Sequence, residues 1–224
     1  MDKILVVDFG SQYAHLIAQS IRKLGVFAQM LEPDAETELF NDPAVKGIIW
    51  SGGPASVYAP NAPALNPDVF TKEWVLGRDI PFLFTCYGHQ LAAQIFAQGF
   101  YAAVEKREPG EYGPTALTVK KPTGVLDGLN KQETVLMSHE DSVVRLPPDF
   151  MITASTENCP AAAIEHITLP LFGIQFHAEV SHTPCGSKIF ENFIRICNAK
   201  KEWTPQRMFE ETRETLRANI KGRV

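Results

Sequence analysis

One cysteine occupies a position suited to nucleophilic chemistry. Cys86 follows the apolar run 81–85 and precedes Tyr87-Gly88-His89-Gln90, which opens a helical pattern. A nucleophile on a sharp strand-to-helix turn lies above a helix N-terminus, whose positive end favours the thiolate. The same turn aims backbone N–H groups at a developing oxyanion. The alternative for this segment alone is a small buried apolar residue, as free cysteines usually are.

A cysteine nucleophile needs a base, and the base needs a group that orients it. The segment 173–179 offers both, because Gln175 and His177 alternate onto one face of an extended chain. Glu179 lies two residues further on, where its carboxylate can reach back to the imidazole. With Cys86, these residues indicate a Cys-His-Glu triad for acyl transfer.

The loop Ser51-Gly52-Gly53-Pro54 follows another apolar run and has two interpretations besides a simple turn. Glycine-rich loops after strands cradle phosphate. The loop of ATP pyrophosphatases, however, continues Ser-Gly-Gly-x-Asp-Ser, whereas Pro54-Ala55-Ser56 stands here. The alternative is that the Gly53 N–H turns towards Cys86 as an oxyanion donor, and the loop's place at a neighbouring strand end favours it.

The elements that must position these residues alternate between strand and helix. Three continuous aliphatic runs predict strands buried on both faces of a parallel sheet: residues 4–7, 45–50 and 81–85. Helical spacing predicts helices over residues 13–24 and 88–98. The chain is therefore expected to form a doubly wound, mostly parallel α/β sheet flanked by helices. Ligands of such sheets bind at the carboxyl ends of the strands, where the polar segments after these three runs lie.

The middle of the chain is predicted to add a small antiparallel region. Five short runs read as strands joined by turns: residues 112–119, 133–137, 150–155, 161–164 and 171–176. A helix then closes the domain, with its apolar stripe inward: Ile189, Phe190, Phe193, Ile194 and Cys197.

The composition changes after residue 200. Thr204 suits an N-cap, and Pro205 suits the first helical position. A charged helix is predicted from there to Ile220, with a thin apolar stripe: Met208, Phe209, Leu216 and Ile220. Such a helix fits contact with another domain or chain, although packing back on the sheet is an open alternative. We expect a main domain over residues 1–200 and a linker-like helix over 201–224.

Composition excludes several functional classes. The 224 residues are 45% hydrophobic with a formal charge of −5. The sequence has no run of basic residues, which argues against a dedicated nucleic-acid binder. No apolar stretch approaches the ~20 residues that span a bilayer, and the N-terminus has no secretory pattern. The four cysteines show neither a CxxC pair nor zinc-site spacing, which favours reduced thiols, a cytoplasmic location and no metal.

Taken together, the motifs resemble the class I (triad) glutamine amidotransferases, a family with a flavodoxin-like sheet. Within the family the chain is most similar to the glutaminase part of GMP synthetases. The similarity covers essentially the whole chain and rests on these segments: 4–13, 51–54, 86–90, 137–139, 154–160, 173–183 and 203–205.

The resemblance implies a chemistry for the triad. Cys86 would attack the side-chain amide of glutamine, His177 would pass a proton to the leaving ammonia, and Glu179 would orient His177. The N–H groups of Gly53 and Tyr87 would form the oxyanion hole, and a γ-glutamyl thioester would hydrolyse to glutamate. The glutamine head group would be bound by the remaining implied residues: Gln90, Ser138, His139, Glu140 and Asp141.

The resemblance also implies partners. The ammonia would pass to an ATP pyrophosphatase (synthetase) domain or subunit, which adenylates XMP with ATP and Mg²⁺ and aminates it to GMP. No cofactor or metal is implied in this chain. No Ser-Gly-Gly-x-Asp-Ser loop follows residue 200, so the synthetase half is expected elsewhere.

Three residues depart from the family pattern. Phe84 stands where the elbow has glycine, Glu140 where the head-group loop has glycine, and Ala178 where proline is usual. Phe84 would have to displace the strand or the helix, and its replacement by glycine is expected to leave the fold intact. Alternatives stay open: a catalytically weak domain that senses glutamine or binds a partner, another class I member, and a thiol hydrolase of similar fold that acts on another γ-glutamyl compound.

Overall fold

One mixed sheet carries every functional segment in the computed structural model, which describes residues 1–60, 62–99 and 101–219. Its strand order is β2-β1-β3-β4-β9-β8-β7-β5-β6. The strands are β1 (Lys3–Val7), β2 (Phe27–Leu31), β3 (Val45–Trp50), β4 (Phe82–Thr85), β5 (Val104–Val119), β6 (Gln132–Val143), β7 (Phe150–Ser155), β8 (Ala163–His166) and β9 (Leu171–Ile174). The helices are α1 (Ala14–Lys23), α2 (Thr37–Phe40), α3 (Lys72–Leu76), α4 (Tyr87–Ala97), α5 (Gly186–Ile196) and α6 (Pro205–Asn219), and a 3₁₀ turn covers Gly124–Leu126.

The parallel half of the sheet confirms the predicted fold class. Strands β2, β1, β3, β4 and β9 pair in parallel, and helices α1, α4 and α5 pack against them. The aliphatic runs that predicted β1, β3 and β4 are buried because both sheet faces are covered. The carboxyl ends of these strands therefore meet at one edge, where Asp8, Ser51 and Cys86 follow them.

The antiparallel half is more extensive than the sequence indicates. Strands β9, β8, β7, β5 and β6 pair antiparallel, and β5 with β6 forms a long hairpin. The pairing shifts from Lys106↔Asp141 to Glu111↔His139, so residues 107–110 bulge out opposite Glu140 alone. Such a bulge bends a strand and redirects its side chains, which places Lys106 and Tyr112 at the cavity described below.

Helix α5 closes the parallel half as its apolar stripe predicts. Ile189, Phe190 and Phe193 are fully buried in the same core cluster as β1 and β9 residues. The sequence reasoning missed β2, α2 and α3. Helices of four and five residues carry no measurable periodicity, and the β2 sequence Phe-Ala-Gln-Met-Leu is rich in helix formers.

Phe84 is accommodated in the core rather than at the elbow surface. Its ring is fully buried, 4.8 Å from that of Trp50 and 5.8 Å from that of Phe82. Other glycines provide the close approach of helix to sheet. A Cβ on Gly88 would lie 2.6 Å from Trp50 O, and a Cβ on Gly173 would overlap the ring of His89. Phe84 therefore supports the sheet beneath Cys86.

The C-terminal helix begins as predicted. The Arg207 N–H donates to Thr204 Oγ1 at 3.2 Å, which is the N-cap bond. The preceding Trp203 packs on Phe27 with ring centroids 4.8 Å apart. Met208 and Phe209 are 51% and 65% exposed, whereas the side chain of Leu216 and all of Ile220 lie outside the described residues. Among the helices described, none is long and apolar enough to cross a membrane.

Candidate active site

Cys86 sits on a strained turn between β4 and α4. Its backbone has φ 49° and ψ −107°, a conformation that L-residues rarely adopt. Two backbone bonds hold the turn: Cys86 N–H donates to Ile174 O at 2.8 Å, and Gln90 N–H donates to Cys86 O at 3.1 Å. The sharp strand-to-helix turn that the sequence indicates at Cys86 is therefore present in the structure.

His177 and Glu179 form the closest ionisable pair at this edge. His177 Nδ1 lies 2.7 Å from Glu179 Oε1, and the two side chains are 6% and 1% exposed. The backbone around the histidine is fixed as well, since His177 N–H donates to Leu136 O and Thr183 Oγ1 donates to His177 O. The ring of Tyr13 meets the imidazole edge-on at 5.2 Å. The imidazole is thus held in one orientation beside Cys86.

The electrostatic environment favours a charged imidazole. Burial lowers the pKa of His177, but its hydrogen bonds and charge interactions with the Cys86 sulfur and Glu179 outweigh burial and raise that pKa to about 10. At neutral pH the ring is then an imidazolium, which can stabilise a thiolate and donate a proton to a leaving group.

Two backbone N–H groups are available beside the sulfur. The N–H groups of Gly53 and Tyr87 donate a hydrogen bond to no acceptor among the described residues. Gly53 packs closely on Tyr87, because a Cβ on Gly53 would lie 3.2 Å from Tyr87 Cγ. The preceding Gly52 leaves room beside the triad, since its Cβ would lie 3.5 Å from Cys86 Cβ and 3.4 Å from His177 Cε1. The loop therefore lies next to Cys86, as an oxyanion-hole loop must.

The comparison with known families is decisive for this arrangement. The sequence pattern of the family described as "Glutamine amidotransferase class-I" matches residues 5–197. The chain belongs to the class I glutamine amidotransferase family.

Individual relatives in this family are similar over the full length of the chain. GMP synthase [glutamine-hydrolyzing] of Thermosynechococcus vestitus is 41% identical over 97% of this chain and 39% of the relative. The enzyme of the same name from Caldanaerobacter subterraneus subsp. tengcongensis is 39% identical over 98% of this chain and 41% of the relative. The chain thus spans about two fifths of these curated relatives.

A solved structure of a shorter relative supports the same fold. The crystal structure of a putative GMP synthase subunit from Thermoplasma acidophilum has a TM-score of 0.74 and 30% sequence identity. The match covers 94% of this chain and 98% of that one. A class I amidotransferase fold in a separate subunit of this size therefore exists.

A cavity of about 750 Å³ opens at the amidotransferase elbow. Its lining includes Cys86, His177 and all five residues expected to bind the glutamine head group: Gln90, Ser138, His139, Glu140 and Asp141. Two of these side chains are already engaged. Gln90 Nε2 donates to Asp141 O at 2.7 Å, and His139 Nδ1 lies 2.9 Å from the same oxygen. We therefore expect this segment to meet a ligand through its backbone and the Gln90 amide oxygen.

Glu140 faces a basic partner at the rim of the cavity. Its carboxylate lies 3.0 Å from Lys106 Nζ and accepts a hydrogen bond from the Tyr112 hydroxyl at 3.3 Å. The hydrogen bond and charge of Lys106 lower the pKa of Glu140. Lys106 therefore balances the negative charge of Glu140, the carboxylate that departs from the family pattern.

A second group of Glu, His and Cys lies behind this rim and differs in chemistry from the triad. Glu111, His139 and Cys159 are buried, with possible metal-ligand atoms all within 4.8 Å of one another. Burial, and then the charge of Glu111, raises the pKa of Cys159 to about 12. Its sulfur is therefore a protonated thiol and not a nucleophile at neutral pH.

Three residues near the triad are given no chemical function by the sequence. They are Tyr13 against the His177 ring, Thr183 on the His177 carbonyl, and Gln175, whose amide reaches the Cys86 sulfur. The period-2 alternation that places Gln175 on the face of His177 is a usable signal. Spacing rules detect neither of the other two residues, because Tyr13 is remote from His177 in sequence and Thr183 bonds to a backbone carbonyl.

Proposed function

We propose that this chain hydrolyses L-glutamine to glutamate and ammonia, with Cys86 as nucleophile, His177 as proton carrier and Glu179 as orienting carboxylate. The observation that carries the proposal is the buried His177–Glu179 pair at 2.7 Å beside a cysteine with a strained, positive φ. Family membership supports the reaction class, and this geometry supports the residue roles that the resemblance implies.

In the proposed reaction the Cys86 thiolate attacks the amide carbon, and its lone pair forms the carbon–sulfur bond. The carbonyl π electrons move to oxygen, where the N–H groups of Gly53 and Tyr87 stabilise the negative charge. His177 then donates its proton to the amide nitrogen as the carbon–nitrogen bond breaks, and ammonia leaves. Water, deprotonated by His177, attacks the thioester, releases glutamate and restores the thiolate.

Phe84 and Glu140, the two departures from the family pattern that favoured a silent domain, do not obstruct this reaction. Phe84 lies in the aromatic core, not in the cavity, and the turn at Cys86 keeps its strained conformation. Glu140 is paired with Lys106. The features that favoured a silent, glutamine-sensing domain are therefore compatible with turnover.

We further propose that the ammonia serves the amination of XMP to GMP by an ATP pyrophosphatase domain or subunit, which would hold ATP and Mg²⁺. The names of the relatives and the two fifths of their length that this chain spans support this proposal. In the proposed organisation residues 1–200 form the glutaminase, and 201–224 lead to the partner. The exposed Met208 and Phe209 on α6 suit such a contact. Four cysteines without disulfides suit a cytoplasmic enzyme.

The test of hydrolysis is the release of glutamate from glutamine by the purified chain. The wild type should release glutamate, Cys86→Ala should not, and the control Cys185→Ala should match the wild type. Equal rates for Cys86→Ala and wild type would refute the assignment of Cys86 as the nucleophile.

The partner is tested by adding an ATP pyrophosphatase subunit with XMP and ATP. The release should accelerate and GMP should form; no GMP and an unchanged rate would refute the proposed pathway.

A further inference from the structure

A buried amide contacts the sulfur of the proposed nucleophile. Gln175 is fully buried at the end of β9, and its Nε2 donates to Cys86 Sγ at 3.8 Å. Hydrogen bonds to sulfur are long because the atom is large, and a donor stabilises the anionic form more than the neutral one. The contact is therefore worth most when the sulfur is a thiolate.

The orientation of this amide follows from its neighbours. The Asp141 carbonyl can only accept, so the Gln90 atom 2.7 Å from it must be the NH₂ group. The same NH₂ lies 3.2 Å from one Gln175 amide atom, which must be the oxygen. The other Gln175 atom is then the NH₂ group, and it faces Cys86. Through the Gln90 amide, the Asp141 carbonyl thus fixes the orientation in which the Gln175 amide donates to Cys86.

The Asp141 carbonyl is itself held by His139, which belongs to the buried group of Glu111, His139 and Cys159. His139 Nδ1 lies 2.9 Å from Asp141 O and takes the donor role there. His139 Nε2 faces Glu111 at 3.4 Å, and the other Glu111 oxygen accepts from Thr156 Oγ1 at 2.7 Å. Gln175 therefore has little freedom to flip.

We propose that Gln175 is a catalytic residue whose amide N–H stabilises the Cys86 thiolate. The inference rests on the proposed glutaminase. The donor acts twice in that reaction: before attack, when the sulfur carries charge, and during thioester hydrolysis, when the carbon–sulfur bond breaks and the electron pair returns to sulfur. Gln175 transfers no proton and forms no covalent bond.

The experiment measures the alkylation rate of Cys86 by iodoacetamide across pH in the full chain, located by peptide mass spectrometry. Gln175→Met removes the donor at similar volume, and Gln132→Met makes the same change at an exposed site bonded to Thr118. At about pH 6 the Gln175→Met rate should fall about fivefold, because the variant lacks the hydrogen bond that favours the charged sulfur. At about pH 10 it should equal or exceed the wild-type rate, because a thiolate without the donor is more nucleophilic.

A fall at about pH 6 without a fall at about pH 10 distinguishes a donor from a merely structural residue, which would lower both rates. A parallel fall or rise at both pH values, or an unchanged profile, would overturn the proposal. If Gln175→Met does not fold, Gln175→Leu replaces it, since leucine also lacks a donor and adds no charge beside the sulfur. Glutamate release is measured separately. The predicted alkylation profile supports the donor even if the chain releases none, whereas release with an unchanged profile overturns it.

Discussion

Glu179 has one carboxylate oxygen 2.7 Å from His177 Nδ1, and its other oxygen is buried without a hydrogen-bond partner among the described residues. A buried carboxylate with a single partner depends strongly on the charge of that partner. The pair is therefore an obligate unit in which Glu179 fixes both the orientation and the protonation of the imidazole.

Replacing Glu179 with glutamine should abolish most of the turnover. Glu179→Gln keeps the size of the side chain but removes the charge that supports the imidazolium, so kcat for glutamate release should fall about 10²- to 10⁴-fold. The exposed Glu191→Gln on α5 is the control and should match the wild type. A loss of less than threefold in Glu179→Gln, with the fold intact, would contradict its role.

The raised pKa of His177 predicts how stability depends on pH. Because the folded pKa is about 10 and the unfolded value is about 6.5, the stabilisation is full below about pH 6.5 and is lost as pH rises towards 10. Urea unfolding should therefore show a steeper loss of stability between these values in the wild type than in His177→Gln. Parallel pH profiles for the two proteins would contradict the ion pair.

The position of Phe84 predicts a loss of stability that the sequence-based expectation does not include. Its ring fills the space between Trp50 and Phe82, so Phe84→Gly leaves a cavity and should lower the free energy of unfolding by at least about 3 kcal/mol. The expectation that this replacement leaves the fold intact stays a prediction, and the packing adds that the intact fold should be less stable. Denaturant unfolding measures the change, with the exposed Tyr112→Ala as control; a loss below about 1 kcal/mol would contradict the packing.

The ion pair at the cavity rim predicts a compensating double mutant. Lys106→Met leaves the charge of Glu140 unpaired among the residues expected to bind the glutamine head group, where it would repel the substrate carboxylate, so KM for glutamine should rise severalfold with little change in kcat. Adding Glu140→Gln removes the stranded charge and should return KM towards the wild-type value. Exposed ion pairs couple weakly, by about 0.2–1 kcal/mol, so the assay belongs at low salt. A double mutant no better than Lys106→Met would refute the compensation.

The sequence predicted the parallel half of the fold well because burial on both faces leaves continuous aliphatic runs. The runs that became β1, β3 and β4 are of this kind, and the helix after Cys86 begins one residue before its predicted start. The hairpin of β5 and β6 was predicted too short, since its bulge at 107–110 interrupts any alternation. No local pattern reveals such an irregular segment.

The sequence also predicted which residues meet at the site, but not which hydrogen bonds and ion pairs their side chains form. Cys86, His177 and Glu179 could be chosen from residue type and spacing alone. The amide network of Gln90 and Gln175, and the partner of Glu140, depend on strands far apart in the chain. Spacing rules therefore indicated the proposed reacting groups and missed the side chains that hydrogen-bond or pair with the residues around them.

The central claim is that Cys86 forms a covalent γ-glutamyl thioester. The most direct measurement is acid quenching during turnover of glutamine, followed by proteolysis and mass spectrometry of the peptide that contains Cys86. The account predicts a γ-glutamyl adduct on Cys86 that decays as glutamate appears and is absent from Cys86→Ala. Glutamate release without an adduct on this peptide, or an adduct on Cys159 instead, would contradict it.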